Sequence, residues 1–271
     1  MKVLFISSGN SKNGISTIVK NQGESITLNG VDIHYFAIKG KGFKGYLSNI
    51  KYVRTALKEF QPEVVHAHYS LSAILASLAG VKPLVVSLMG SDIKAKSWAR
   101  FILWFFHKFI WSKTIVKSPD MKQALKWKNV YVIPNGVDTS KFKPLNKQEY
   151  QVRLHWEPDK IHILFAANPN RYVKNFSLAE NSVAKLDNNS IELHTLIDVP
   201  YDEIPIFINA ADLVLLTSLW EGSPNIIKEA MACSRPIVST KVGDVEWLLG
   251  NVNGHFVTTF EPQDVSNKLN D

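Results

Sequence analysis

The densest chemistry lies at Trp220-Glu221-Gly222-Ser223-Pro224-Asn225-Ile226-Ile227-Lys228-Glu229-Ala230-Met231-Ala232, just after an apolar run at 213–217. Pro224 suits the first turn of a helix, and Ser223 can cap it. The free N–H groups of such a helix end suit an anion such as a diphosphate. Glu221 falls in the loop and Glu229 within the helix, two carboxylates able to accept hydrogen bonds from sugar hydroxyls. Two solvated glutamates on an ordinary helix account for the spacing equally well. His66-Ala67-His68 closes another apolar run, and strand ends in open parallel sheets are where ligands bind. A satisfied structural role stays open for either histidine. The loop Gly9-Asn10-Ser11-Lys12-Asn13-Gly14-Ile15-Ser16 lacks a full G-x-G-x-x-G, which argues against a dinucleotide site.

These segments need strands to end on and helices to start. Short apolar runs at 2–7, 32–38, 64–68, 84–89, 114–117 and 130–133 form one series, and runs at 161–167, 191–197, 213–217, 236–240 and 255–257 form a second. Helical patterns separate them, such as 175–186 and 225–232. Leu47, Ile50, Val53, Leu57 and Phe60 have helical spacing, ended by Gln61-Pro62. Alternation of this kind predicts an α/β fold with parallel sheets covered on both faces, and the runs are apolar throughout, as doubly buried strands are. The polar stretch 143–160 splits the chain into two Rossmann-like doubly wound domains, 1–143 and 144–271, expected to face a cleft.

The 220–232 segment resembles the E-x7-E element of the retaining glycosyltransferases of family 4, glycosyl transferases group 1, which have the GT-B fold of two Rossmann-like domains. The lead-in Ala210-Ala211-Asp212-Leu213-Val214-Leu215-Leu216-Thr217-Ser218 and the later strand Pro236-Ile237-Val238-Ser239-Thr240 match the same group. Gly243-Asp244-Val245-Glu246 is similar to its G-G-x-x-E loop, with Asp244 in place of the second glycine. Val132-Ile133-Pro134-Asn135-Gly136-Val137-Asp138-Thr139-Ser140-Lys141-Phe142 matches the family's signature at the domain junction, and the resemblance covers nearly the whole chain. It implies transfer of a sugar from a nucleotide-diphosphate sugar to a hydroxyl acceptor with retention, in cell-surface polysaccharide or glycolipid synthesis.

The resemblance also implies roles by position. Glu229 would bind the donor ribose, Glu221 would face the transferred sugar, and Gly222, Ser223, Pro224, Asn225 and Ile226 would touch sugar and phosphate through their backbone. Arg171 and Lys174, within Asn168-Pro169-Asn170-Arg171-Tyr172-Val173-Lys174-Asn175, would hold the diphosphate, where fixed cations stabilise charge developing on the leaving group. Gly14 matches the glycine beneath the donor phosphates. The acceptor side would carry His66 and His68, from a V-H-x-H segment, with Gly90 and Asp92. Surface cations past a strand and a plain turn glycine are the alternatives for Arg171, Lys174 and Gly14.

Two departures stand out. In Ser87-Leu88-Met89-Gly90-Ser91-Asp92, Met89 occupies the place of a family histidine, and methionine donates no proton. This branch either dispenses with that histidine or has weakened or lost activity. The chain is also short, and the family's final helices, which cross back onto domain one, are absent, so the second domain reads as shortened at its end. A non-catalytic nucleotide-sugar binding protein and another GT-B enzyme, such as a sugar-nucleotide epimerase, are the rival readings.

Composition narrows the partners. The 271 residues include 45% hydrophobic and 20% charged residues, a globular balance. The single cysteine, Cys233, excludes an internal disulfide and reads as buried packing. There is no Asp-x-Asp pair and no His-Glu-x-x-His spacing, so the expectation is a reaction without a metal or cofactor, with the nucleotide sugar as substrate. The net charge of +7 favours anionic partners, but the cations are scattered and no nucleic-acid motif occurs. The N-terminal run is too short for a signal peptide, and the aromatic stretch 98–111 is broken by Arg100, His107 and Lys108, so it is a poor spanning helix. The expected location is cytoplasmic, with peripheral association at the inner membrane face. That stretch, with aromatics on several faces, would either pack on the sheet or lie on a membrane surface near a lipid-linked acceptor.

Overall fold

The computed structural model of the chain describes residues 1–11, 14–90, 92 and 97–271. It forms two compact units, Met1–Asn135 and Gly136–Asp271. The division falls before the polar stretch chosen from sequence. The reason is packing: Phe142 is fully buried and Val137 packs against the same core, that of the second unit.

In unit one, six parallel strands, β1 (Lys2–Ser8), β2 (Asp32–Ile38), β3 (Val64–His68), β4 (Leu84–Ser87), β5 (Lys113–Val116) and β6 (Val130–Val132), lie in the order β2-β1-β3-β4-β5-β6. The helices are α1 (Thr17–Thr27), α2 (Gly42–Leu47), α3 (Ile50–Phe60), α4 (Ser70–Leu78), α5 (Ser97–Phe109) and α6 (Pro119–Leu125). The helical run starting at Leu47 is broken in two. Asn49 is the cause: its side chain donates to the Lys39 and Gly45 carbonyls at 2.9 and 2.7 Å and accepts from the Lys39 amide. Gln61 adopts a left-handed φ of 50° ahead of Pro62, ending α3 where expected.

Unit two holds α7 (Lys147–Arg153), β7 (Ile161–Phe165), α8 (Phe176–Ala184), β8 (Ile191–Thr195), α9 (Ile204–Ala210), β9 (Leu213–Leu216), α10 (Asn225–Ala232), β10 (Ile237–Thr240), α11 (Val245–Leu249), β11 (His255–Thr258) and α12 (Pro262–Asn270). Its five strands are parallel, in the order β11-β10-β9-β7-β8. Side chains alternate between two apolar layers. Val214 and Leu216 pack with Ile227 and Ala230 of α10, while Leu215 packs with Ile163, Leu178 and Val265 on the other face. Cys233 is buried in the first layer, and burial pushes its thiol up to about 11.

Both sheets share one winding. The second strand lies on one side of the first, and the third strand starts the other side. Loops leaving the strands therefore diverge between β1 and β3 in unit one and between β7 and β9 in unit two. Such switch points open a crevice at the C-terminal ends of the strands, where ligands of open α/β sheets bind.

Candidate active site

In unit two, the switch point receives the loops after β7 and β9. The first forms a short 3₁₀ turn, Tyr172–Lys174, closed by Asn175 at a left-handed φ of 53°. It is tied to the end of β9: the Leu219 amide donates to the Val173 carbonyl at 2.9 Å, and Thr217 Oγ1 donates to the Lys174 and Asn175 carbonyls at 3.1 and 3.0 Å. These bonds set the root of Lys174. Its Nζ lies 2.6 Å from Glu221 Oε1, which also accepts from Ser218 Oγ at 2.8 Å. Both charged side chains are largely covered, at 14% and 18% exposure. Arg171 opens the same turn with its side chain exposed.

The Glu221 loop is braced from beneath. Thr240 Oγ1 donates to the Ser218 carbonyl at 2.9 Å. Gly243, at a left-handed φ of 53°, leaves no room for a side chain: a Cβ there would stand 2.7 Å from the Gly222 oxygen and 2.9 Å from that of Glu221. Helix α10 then begins at Asn225 with Pro224, not Ser223, at the capping position and no side-chain cap. This corrects the expected Ser223 cap. Ser223 Oγ instead accepts from Lys228 Nζ at 3.3 Å. Pro224 has no side-chain oxygen to cap the helix, and the N-terminal end of α10 carries the partial positive charge of the helix dipole, which suits an anion.

Glu229 is 4% exposed on the buried face of α10 and accepts from the Tyr201 hydroxyl at 2.9 Å. Burial pushes its carboxyl above the ordinary range, opposed by the Tyr201 bond and the charge of Lys228. Burial also lowers Lys228. Sequence reasoning missed Tyr201, which arrives from the turn before α9; only its position after Pro200 marked a turn there. Lys174, Ser218 and Glu221 are thus directly joined, whereas Glu229 is held by Tyr201.

In unit one, His66 and His68 share one face of β3, their rings stacked 4.2 Å apart beside Phe5. They are 7% and 2% exposed. His66 Nε2 meets Ser87 Oγ at 2.8 Å, and that hydroxyl also accepts from Lys117 Nζ at 3.4 Å. Burial, then the charge of Lys117, lowers His66 to about 3. His68 is also lowered well below the ordinary range, by burial and then by His66 and Lys117, so both rings are neutral at physiological pH. Neither ring nitrogen of His68 has a hydrogen-bond partner among the described residues.

Asp92 is 3% exposed, and its two oxygens accept from the Ser70 amide at 2.9 Å and the Met89 amide at 2.6 Å. It therefore caps α4 from a distance and fixes the backbone at Met89. Gly90 is buried at a φ of 109°. Gly14 closes a tight turn at a φ of 75°, its amide donating to the Ser11 carbonyl at 3.0 Å and its own carbonyl accepting from Ser11 Oγ. Lys12 and Asn13 of that loop, and Ser91 of the 87–92 segment, lie outside the described residues.

Helix α5 carries two faces. Leu103 and Phe106 pack into the core of unit one. Trp98, Phe101, Ile102, Phe105 and Phe109 form an exposed stripe at helical spacing. Beside it a cavity of about 610 Å³ is lined by Trp104, Lys108, Lys126, Trp127 and Lys128, among others, with no acidic side chain. Among the described residues, no helix is long and apolar enough to cross a membrane.

Two parallel α/β units of the same winding define the GT-B class of fold. Glycosyltransferase Family 4 matches residues 15–141 and Glycosyl transferases group 1 matches residues 151–271; the chain belongs to this family of glycosyltransferases. TuaC, a glycosyltransferase assigned to teichuronic acid biosynthesis in Bacillus subtilis, is 25% identical over 71% of this chain and 57% of its own length. The UDP-Gal:alpha-D-GlcNAc-diphosphoundecaprenol alpha-1,3-galactosyltransferase of Escherichia coli is 26% identical over 79% of this chain and 66% of its own. The chain thus spans less than two thirds of the length of either. Sucrose-phosphate synthase from Thermosynechococcus elongatus superposes with a TM-score of 0.82 at 13% identity, over 99% of this chain and 88% of that one.

Proposed function

We propose that the chain moves a sugar from a nucleotide-diphosphate sugar to a hydroxyl acceptor, with retention and without a metal, in cell-surface polysaccharide or glycolipid synthesis. The observation that carries this is the joined set at the second switch point: Lys174, Ser218 and Glu221, in the loops that lead to the N-terminal end of α10. Lys174 and Arg171 receive the diphosphate together with the amides at Gly222, Ser223, Asn225 and Ile226. When the bond to the sugar breaks, these fixed positive groups stabilise the leaving charge, as a metal cation would. Glu221, freed from Lys174, turns to the sugar hydroxyls, and Glu229, steadied by Tyr201, accepts from the ribose. In unit one, buried His66 and His68 at the end of β3 shape the floor of the acceptor side. Asp92 and Gly90 hold the backbone around Met89 rather than touching substrate.

The test is thermal stabilisation by UDP-, GDP- and ADP-sugars, with and without Mg²⁺, on wild type and Glu229→Ala, followed by product analysis with acceptor. Ligands that bind only the folded state raise the melting temperature. A shift for one nucleotide class, indifferent to Mg²⁺ and lost in the variant, is expected. No shift with any donor sinks the reading, and binding without turnover that Met89→His restores marks a decayed transferase.

The Escherichia coli relative acts, by its name, on a diphosphoundecaprenol acceptor, and α5 supports a membrane-bound acceptor here. Its exposed aromatic stripe with Lys108, Lys126 and Lys128 alongside complements an anionic bilayer surface. Sedimentation with phosphatidylglycerol vesicles, absent with phosphatidylcholine and lost in Phe101→Ser/Phe105→Ser, is the expected result. Equal recovery of wild type and variant ends this part of the proposal.

A further inference from the structure

The start of the β7–β8 ladder carries a second cluster. His162 and Glu192 are register partners on β7 and β8, and His194 lies two residues beyond Glu192 on the same face. His162 Nδ1 lies 2.9 Å from His194 Nε2, and Glu192 Oε2 lies 3.6 Å from each of these nitrogens. A zinc ion bonded at about 2.0–2.1 Å to two imidazoles and a carboxylate sets its ligand atoms roughly 3.3 Å apart in a tetrahedron. The observed triangle brackets that edge, so shifts of a few tenths of an ångström close it around an ion.

Each member is already aimed. His162 is fully buried, and its Nε2 donates to the Glu157 carbonyl at 2.8 Å, which leaves the Nδ1 lone pair pointing into the cluster. The Trp156 ring stacks on His194 with centroids 3.6 Å apart and planes 12° from parallel. Lys160 holds Glu192 by Oε1 at 2.6 Å and leaves Oε2 to the cluster. The same ammonium pairs with Glu157 at 2.7 Å, so two carboxylates outweigh one cation beside the site. A metal between His162 Nδ1 and His194 Nε2 would take the place of the proton that a hydrogen bond at their 2.9 Å separation requires. Glu192 and His194 are 32% and 19% exposed, which gives solvent access and room for a water ligand. Among the described residues, this is where three ligand atoms of this kind converge.

We propose that His162, Glu192 and His194 bind one first-row divalent transition-metal ion, such as Zn²⁺, at a site separate from Lys174 and Glu221. Two imidazoles and one carboxylate suit such an ion. It would tie β7 to β8 and to the 156–160 turn. Sequence spacing hides the site because its ligands lie on two strands; Glu192-x-His194 is its only local trace.

Untagged full-length chain, stripped with a chelator, is titrated with ZnCl₂ by calorimetry and melted with and without Zn²⁺. One ion per chain, a melting temperature that rises with Zn²⁺, and visible absorption from Co²⁺ in its place are expected. Glu192→Gln and His194→Ala change partly exposed positions. Each weakens binding by at least the roughly 10- to 100-fold that loss of an outer-shell partner costs, while Glu221→Gln leaves it unchanged. Circular dichroism of both variants confirms that they fold, and His194→Gln replaces any that does not. No saturable binding by the wild type, or a loss below tenfold in the folded variants, overturns the proposal.

Discussion

Glu221→Gln separates two uses of Lys174. The Lys174 ammonium lies 2.6 Å from the Glu221 carboxylate. Bare attraction at that distance is about 6 kcal/mol at an effective dielectric near 20. Desolvating two groups that keep 14% and 18% of their surface offsets most of it, leaving the roughly 1.5–3 kcal/mol typical of a hydrogen bond between charged groups. A diphosphate must displace the carboxylate to reach Lys174, so this energy opposes binding. Glutamine keeps a weaker neutral acceptor, and about half the opposition disappears. At 1.4 kcal/mol per decade, the nucleoside diphosphate should bind about three- to tenfold more tightly. The nucleotide sugar should gain less, because glutamine accepts from its hydroxyls more weakly than the carboxylate does. Calorimetry with the diphosphate and its sugar, on wild type, Glu221→Gln, Lys174→Met and the double variant, checks this. Lys174→Met should weaken both ligands, and the double variant should bind the diphosphate no better than Lys174→Met. If Glu221→Gln weakens the diphosphate as Lys174→Met does, the carboxylate is not a competitor and the argument fails.

Glu229→Gln tests the buried carboxyl. Its folded pKa is raised above the ordinary 4.5, so its contribution to stability is full below 4.5 and is lost as pH rises through the folded value. The variant should be more stable than wild type at pH 7 by urea denaturation and lack that dependence, yet bind donor about tenfold or more weakly. Asp92→Ala leaves the buried Ser70 and Met89 amides unpaired and should cost about 1–3 kcal/mol by urea denaturation, partly restored by Asn; an unchanged midpoint excludes the capping role. Gly243→Ala forces a side chain against the Gly222 and Glu221 carbonyls at a left-handed φ. Backbone strain of about 1–3 kcal/mol should appear in melting curves, with donor binding reduced more than stability alone explains.

The strands were legible because both faces of each sheet are covered. Runs such as 213–216 are apolar throughout and short, and all eleven form where the sequence places them. What escaped was set by distant partners. Asn49 breaks the run between Leu47 and Ile50 by bonding to Lys39 and Gly45. The unit boundary moved to Asn135 because Phe142, in a polar neighbourhood of sequence, is buried in the second core. The bonding of Asp92 was equally hidden: its oxygens accept from the amides of Ser70 in α4 and of Met89.

The candidate site was more legible than its bonding. Its residues follow the C-terminal ends of β7 and β9, the two neighbours at which the winding reverses, so a local motif at each suffices to reveal the place. Pairing is another matter. Lys174 and Glu221 carry opposite charges in separate motifs, and the Thr217 and Leu219 bonds that seat the 172–174 turn at the end of β9 bring them together. Each was assigned a different part of the donor from sequence; joined, they neutralise one another until an anion arrives. If this is the donor site proposed above, the pairing with Glu221 orients Lys174 at the expense of affinity for the bare diphosphate. On the same proposal, the donor sugar would recover that loss by engaging Glu221, which would favour the complete donor over the spent nucleotide.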